Sequence, residues 1–488
     1  MSLILGTDPK DGLKKLKNMV QHWEFCYGQN ISENVAFVSV SPDGKKTEYS
    51  FKEIHARQQC LAAFLVQQGV KKTDVVTIIA ENTPTSILSS LSVTYAGAIL
   101  SLLPADIPIP QLKKITQTLP SKVIIFTSYK LFKYFQNEIF PLPKDQIAVV
   151  WTEHYDEISE DDKIITAEIA IELGKNFWRE DVALIRSVRE NISSNDIYCI
   201  EWNRDPKNNF SGYYISHTNY LKAIIRWLDT FKNFPQKSNI GLLKSPAEPH
   251  LRTIGVYAAM SYFNVVWFLK ISPRALKILS KEDIKVLITN GSAMNLFATW
   301  ITNKVNYLNW LSKKVAQSGF KTNVQYTSYL DKQLSPPIGI KARKWFSYQY
   351  VLRKLKQQLI GKKNIIIITN DLKLRPDSQL ILETLGIQVF IGSSDAAVAG
   401  FWAVNTPNEK KTYSIGKIFK DIQHILKLDQ QEKSDSEQIS LGRIILKGEE
   451  TSNRPTEGSL AKEGVIVSGR FHVKDGFLYR YTSPSNKE

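Results

Sequence analysis

Apolar residues recur along the first third of the chain in two alternating rhythms. Phe51 to Gln68 places Ile54, Leu61, Phe64 and Leu65 on one helical face, and Gly69 follows as a stop. Val75 to Ala80 (VVTIIA) is a continuous apolar run of strand length, with Asn82 and Pro84 supplying the turn and the next helix start. Ser86 to Ala96 reads as a helix, Ile99 to Leu103 as a strand and Lys122 to Phe126 (KVIIF) as another. This strand–helix–strand spacing predicts parallel α/β layers.

The same rhythm returns from about Asp196 to Asn405, with strands predicted at Asn264 to Leu269, Lys285 to Ile288, Asn364 to Thr369 and Gln388 to Ile391. Beyond Thr406 the texture shifts to short β-rich pieces: Lys411 to Ile418, Gln423 to Leu428, Gly442 to Lys447, Gly464 to Ser468 and Phe477 to Tyr481. Polar turns separate them, and Asp429 to Glu437 (DQQEKSDSE) reads as a mobile loop. The expected architecture is α/β: two doubly wound α/β subdomains (1–195 and 196–405) and a small β-barrel-like subdomain (406–488).

Composition narrows the class. An apolar fraction of 43% and a charged fraction of 23% are those of a globular protein. The longest uncharged run, Thr253 to Leu269, is short for a membrane span and reads as a buried helix followed by a strand. No signal-peptide pattern opens the chain, and Cys26, Cys60 and Cys199 are too scattered for a metal site or disulfide framework. A cytoplasmic location is the default expectation. The net charge of +16 is uneven: Lys304 to Lys363 holds thirteen Lys and Arg against the single acid Asp331, a net +12. Lys313, Lys314, Arg343 and Lys344 are the candidate docking charges for an acidic protein or an anionic lipid surface. A solvated helical face explains the run equally well, and nucleic acid is the weaker partner because no recognition motif accompanies the charge.

Several stretches taken in order resemble the adenylate-forming superfamily of acyl-CoA synthetases, luciferases and peptide-synthetase adenylation domains. They are YSFKEI (Tyr49 to Ile54), LAAFLVQQGVKKTDVVTIIAENTP, TYAGAILSLLPADIP, KVIIF, IKVLITNGSAMNLFATW (Ile284 to Trp300), LGIQVFIGSSDAAVAGFWAVN, GRIILKGE and KDGFLYRY. The basic insertion is most similar to the long-chain fatty acyl-CoA synthetase branch. The resemblance implies an N-terminal adenylate-forming domain with an acyl pocket lined from Ile284 to Trp300 and near Gly392. It also implies a pocket-bordering histidine, for which PAEPH offers His250; the same residue reads as an ordinary turn position.

The family's nucleotide motifs do not carry over. Its Ser/Thr/Gly-rich phosphate loop falls on Asn203, Arg204, Asp205, Pro206, Lys207, Asn208, Asn209, Phe210, Ser211 and Gly212, where only the last glycine matches. Backbone N–H groups approach an anion through glycines, and Asp205 repels one, which leaves Lys207 as the lone phosphate partner. The adenine-side glycine turn falls on Asn370, Asp371, Leu372 and Lys373. The motif whose Thr and Glu serve phosphate and Mg²⁺ falls on Ser393 to Ala397, so that Ala396 and Ala397 replace them; Asp395 is the remaining carboxylate. Arg470 stands where the ribose-binding Asp is expected, and an Arg accepts no hydrogen bond. The hinge and lysine-bearing lid expected next are not in the sequence before Glu488.

These losses predict no ATP or Mg²⁺ site, no catalytic residue and no metal ligand. The leading functional reading is a catalytically degenerate acyl-CoA-synthetase-like pseudoenzyme that acts as a binding, scaffold or regulatory subunit, with a fatty acyl ligand as the expected occupant of any retained acyl pocket. The alternatives are an active fatty acid ligase with an unconventional nucleotide site, and a peripheral membrane protein using the basic segment.

Overall fold

The computed structural model describes residues 9–29, 33–41, 43–139, 142–143, 145–152, 163–205, 208–361, 364–371, 373–433, 438–447, 465–466, 470–474 and 477–481. Local sequence accounts for most element boundaries. Ser50 caps the helix Phe51–Gln67 by accepting the Glu53 N–H at 3.1 Å, and Pro84 opens Pro84–Tyr95. Ser216 caps His217–Thr230 in the same way through the Asn219 N–H at 3.2 Å. The strands Val75–Ala80 and Ser121–Phe126 are buried nearly throughout, as strands covered on both faces must be.

Two large sheets organise these elements. The first has seven strands in the order Ile164–Thr166, Ile147–Val150, Ser121–Phe126, Val75–Ala80, Ile99–Pro104, Ile197–Arg204 and Phe210–Ser216; only the last is antiparallel. The second has nine, with Val35–Val40, Val265–Phe268, Asn239–Leu242, Ile284–Thr289, Ile366–Asn370 and Gln388–Asp395 parallel at its centre. Antiparallel strands close both of its edges. A third, five-stranded sheet spans Gln423–Lys433 to Phe477–Tyr481, and among the described residues its pairing is an open antiparallel path.

Sheet membership does not follow the sequence division at residue 195. Ile197–Arg204 and Phe210–Ser216 join the first sheet, while Val35–Val40 and Lys46–Ser50 join the second, where Val35–Val40 pairs with a strand more than 200 residues away. Asp429 to Lys433 also departs from expectation: it extends an antiparallel ribbon with Gln438 to Leu441, joined by backbone pairing. Residues 434–437 of that predicted loop lie outside the described residues.

The sheets meet at the carboxyl ends of their central strands. Asn82, just after Val75–Ala80, donates through Nδ2 to the carbonyls of Leu242 and Leu269 in the second sheet, at 3.0 Å each. Ser245 returns the contact by donating to the Ala80 carbonyl at 2.8 Å. In doubly wound sheets that edge is where the strands deliver polar loop residues into a crevice. Among the described residues no helix is long and apolar enough to cross a membrane.

Candidate functional site

Between the two strand edges lies a cleft of about 730 Å³, within the size range of small-molecule sites. The second sheet contributes residues that directly follow its parallel strands: Lys244 after Asn239–Leu242, Lys270 after Val265–Phe268, and Asn290 after Ile284–Thr289. Asn290 also caps the helix Gly291–Asn306, its Oδ1 accepting the Ala293 N–H at 3.0 Å, so its amide Nδ2 is turned to another partner. That partner is Glu248, which accepts from Asn290 at 2.6 Å. Burial pushes the Glu248 carboxyl up to about 7, against the pull of the Asn290 bond and of Lys244.

The segment expected to be a phosphate loop is a β-hairpin. Asn203 and Arg204 end one strand, Phe210 begins the next, and Gly212 pairs with Trp202 in mid-ladder. Asp205 closes the turn: its N–H donates to the Asn209 carbonyl at 3.0 Å, and its carboxylate accepts the Asn209 N–H at 2.8 Å. Asn208, at φ 65°, accepts from Arg204 Nε at 3.0 Å, and Arg204 also meets Asp106 at 2.9 Å. The polar groups of the turn thus have partners in the hairpin and in Asp106 and Gln111 beside it. Pro206 and Lys207 lie outside the described residues.

The other positions expected to meet a nucleotide also have partners within the protein. Asn203 donates to Asp395 at 2.9 Å and accepts the Ala396 N–H at 2.9 Å, and Asp395 also accepts from the Ala397 N–H at 2.9 Å. Burial raises the Asp395 carboxyl above the usual carboxylate range. Asp371 is ion-paired with Arg480 of the third sheet, which also donates to Ser393 at 3.3 Å. Asn370 accepts the Gly291 N–H at 3.1 Å. Arg470 opens the strand Arg470–Lys474, its backbone opposite Tyr481. Leu372, Ser468 and Gly469 lie outside the described residues.

Of the positions expected to serve Mg²⁺ and phosphate, Ala396 and Ala397 carry no side-chain donor, Asp395 and Asp371 have protein partners, and among the described residues no group of three His, Cys, Asp or Glu could hold a metal ion.

The residues expected to line an acyl pocket disperse. His250 borders the cleft, neutral: its Nε2–H donates to the Thr289 carbonyl at 3.1 Å, and its Nδ1 accepts from Ser394 at 3.4 Å. Burial lowers its pKa to about 4. A π-helical turn, Thr253–Ala258, follows directly, where Gly255 lets the helix approach Leu242. Ile284 starts its strand at the end remote from the cleft, and Trp300 packs on Phe297 at 5.3 Å. Gly392 is buried in the second sheet, against Phe401 and the Ala403 carbonyl. The apolar space enclosed by Leu279, Leu287, Phe297, Ile301 and Leu359 is only about 10 Å³, room for about one water.

The four candidate docking charges also separate. Lys314 and Arg343 are exposed, whereas Lys313 is half-buried. Lys344 lies over the Tyr326 ring at 3.6 Å, and burial lowers its pKa. Sequence reasoning missed Glu248, Asn290, Lys244, Lys270 and Arg480. For the four other than Arg480, the available signal was a polar residue immediately after, or one loop beyond, a buried parallel strand.

Comparisons with known proteins bear on the fold. The sequence model of the AMP-binding family (AMP-binding enzyme) covers residues 28–200. An anthranilate CoA ligase, AuaEII, in complex with anthranoyl-AMP shares the fold at a TM-score of 0.67 and 11% identity, over 96% of this chain and 79% of that one. VinN in complex with L-aspartate gives 0.64 and 10%, over 95% and 98%. The inhibitor-bound N-terminal domain of FACL13 from Mycobacterium tuberculosis gives 0.63 and 12%, over 96% and 100%. At such identities the likeness is one of fold. A search of curated proteins gave no match.

Proposed function

We propose, from the premise that this chain carries the adenylate-forming (AMP-binding) fold, that it is a pseudoenzyme: a binding or regulatory subunit that holds a small organic ligand in the cleft without activating it. The observation that carries this reading is the mutual satisfaction of the former nucleotide stations. Adenylation depends on donors and a cation preorganised toward the charge that develops in the transition state. Here the counterparts of those groups are Asn203 bound to Asp395 and Ala396, and Asp371 bound to Arg480. Seating a nucleotide would break both ties and leave buried polar groups without partners, at about 1–3 kcal/mol each.

The cleft nevertheless stays open, and its lining of Leu243, Ala247, Ile271, Glu248 and Asn290 is mixed apolar and polar. A carboxylic acid with an apolar tail, such as a fatty acid, is the ligand class that the fold favours. The decisive experiment incubates the protein with ATP, Mg²⁺ and a panel of aliphatic and aromatic acids. No pyrophosphate release above background is expected, and ATP–Mg²⁺ should leave Tm unchanged while at least one acid raises it. Pyrophosphate release with any acid would overturn the reading in favour of a ligase with an unconventional nucleotide site.

A further inference from the structure

The helix Ile338–Ser347 is turned inside out relative to an ordinary surface helix. Its inner side carries the half-buried Ile340 and Lys344 and the buried Ser347, which faces Gly319 of Trp310–Asp331 so closely that a Cβ on Gly319 would lie 3.1 Å from the Ser347 Cβ. Its outer side is apolar. Ile338, Ala342 and Trp345 recur at helical spacing along the crest, with Phe346 beside them. Ile338 is 85% exposed, Trp345 61% and Phe346 48%. Tyr350 continues the strip one turn on, 59% exposed and 4.4 Å from the Phe346 ring.

Positive charge flanks that ridge. Lys341, Arg343, Arg353 and Lys354 are all exposed, and none pairs with a carboxylate among the described residues. From Lys332 to Gly361 the sequence contains no acid at all. A ridge of this kind in water is a feature that something covers. A second copy of the chain fits poorly, because a two-fold contact would set the same uncompensated cations against each other. A helix with Trp, Phe and Ile on one side and Lys and Arg at its margins has instead the composition of one that lies in the plane of a membrane surface.

We propose that this helix docks the protein on an anionic lipid surface, with Ile338, Trp345 and Phe346 entering the boundary between headgroups and acyl chains and Lys341, Arg343, Arg353 and Lys354 meeting the lipid phosphates. The proposal does not depend on whether the cleft is catalytic. It uses a surface whose charges are exposed, so their attraction is screened by salt and adds with each cation near the plane.

The test is co-sedimentation of the full chain with vesicles of phosphatidylcholine alone and of phosphatidylcholine with phosphatidylglycerol, at low and at high salt. The expected result is partition onto the anionic vesicles that weakens in high salt. Lys341→Glu with Arg343→Glu should lower it at least about tenfold. Ile338→Ser with Trp345→Ser, which leaves the charge unchanged, should lower it comparably. All four positions are exposed, so Tm should not move, and single Arg343→Glu serves if a double variant folds poorly. Equal binding to neutral and anionic vesicles, no binding to either, or wild-type binding by both double variants would overturn the proposal. A shift from dimer to monomer on replacing Trp345 would overturn it too, by assigning the ridge to a second copy.

Discussion

Asn203 holds Asp395 from across the cleft: its Nδ2 donates to the Asp395 carboxylate at 2.9 Å while its Oδ1 accepts the neighbouring Ala396 N–H at the same distance. One side chain thereby joins the hairpin of the first sheet to the edge of the second. Two segments that the resemblance assigned to a nucleotide are here bonded to each other.

Asn203→Ala should therefore destabilise the protein although it removes no apolar contact. It leaves the Ala396 N–H without this acceptor and Asp395 with only the Ala397 N–H, an expected loss of about 1–3 kcal/mol in urea titration. Asn203→Asp should cost more at neutral pH, because two carboxylates then share one buried site, and should recover on acidification as they take up a proton between them. An Asn203→Ala protein as stable as the wild type would remove the tie from the account.

Arg252 and Glu201 form an ion pair with both side chains wholly buried. Arg252 also donates to the Tyr220 hydroxyl at 3.1 Å and the Pro246 carbonyl at 3.3 Å. Glu201→Gln or Arg252→Met should each cost about 3–5 kcal/mol, since each leaves one charge buried without its counterion. The double variant should recover part of that loss. Strict additivity of the two single losses would show that the groups do not act as a pair.

The parallel cores were legible because a strand buried on both faces writes an unbroken apolar run, as in Val75 to Ala80 and Lys122 to Phe126. Pairing across the chain was not: nothing local in Val35–Val40 says that it lies beside Val265–Phe268 rather than in the first sheet. The ribbon beyond Leu428 was invisible because its first strand, Asp429 to Lys433, has no apolar residue to mark it as a strand. In the site, motif spacing located Asn203 and Asp371 at the cleft but gave no hint that they are tied to Asp395 and Arg480. Glu248 was missed because its importance comes from burial and from Asn290, 42 residues on.

Gly174 should tolerate no side chain. It lies in Ala167–Glu180 against Phe51–Gln67, and a Cβ there would fall 1.9 Å from the Cys60 carbonyl oxygen. Elsewhere in a helix interior Gly→Ala stabilises by about 1 kcal/mol. Here backbone meets backbone, and Gly174→Ala should instead lower stability by at least about 2 kcal/mol as the two helices are pushed apart. A rise in Tm would mean that they separate freely.

Acid should unfold the protein through its histidines. Burial is the main cause that lowers His22, His55, His217 and His250 each to about 4 from 6.5. Two of them show the neutral form directly: His217 Nδ1 accepts the Met19 N–H at 3.1 Å, and His55 Nδ1 accepts from the Trp23 indole at 3.0 Å. Between pH 6.5 and 4 the unfolded chain binds protons that the folded chain refuses, so stability falls with pH by up to about 1.4 kcal/mol per unit for each group. Glu248 acts in the other direction. Its pKa is raised to about 7, so its contribution is full below the ordinary glutamate range and is lost as pH rises through 7. Urea titrations across pH 4 to 8 should thus show a steep acid limb that His217→Asn makes shallower. Glu248→Gln should steepen that limb, because it removes the opposing loss between about pH 4.5 and 7. An acid limb of unchanged slope in the His217 variant would mean that this histidine is already charged in the folded protein.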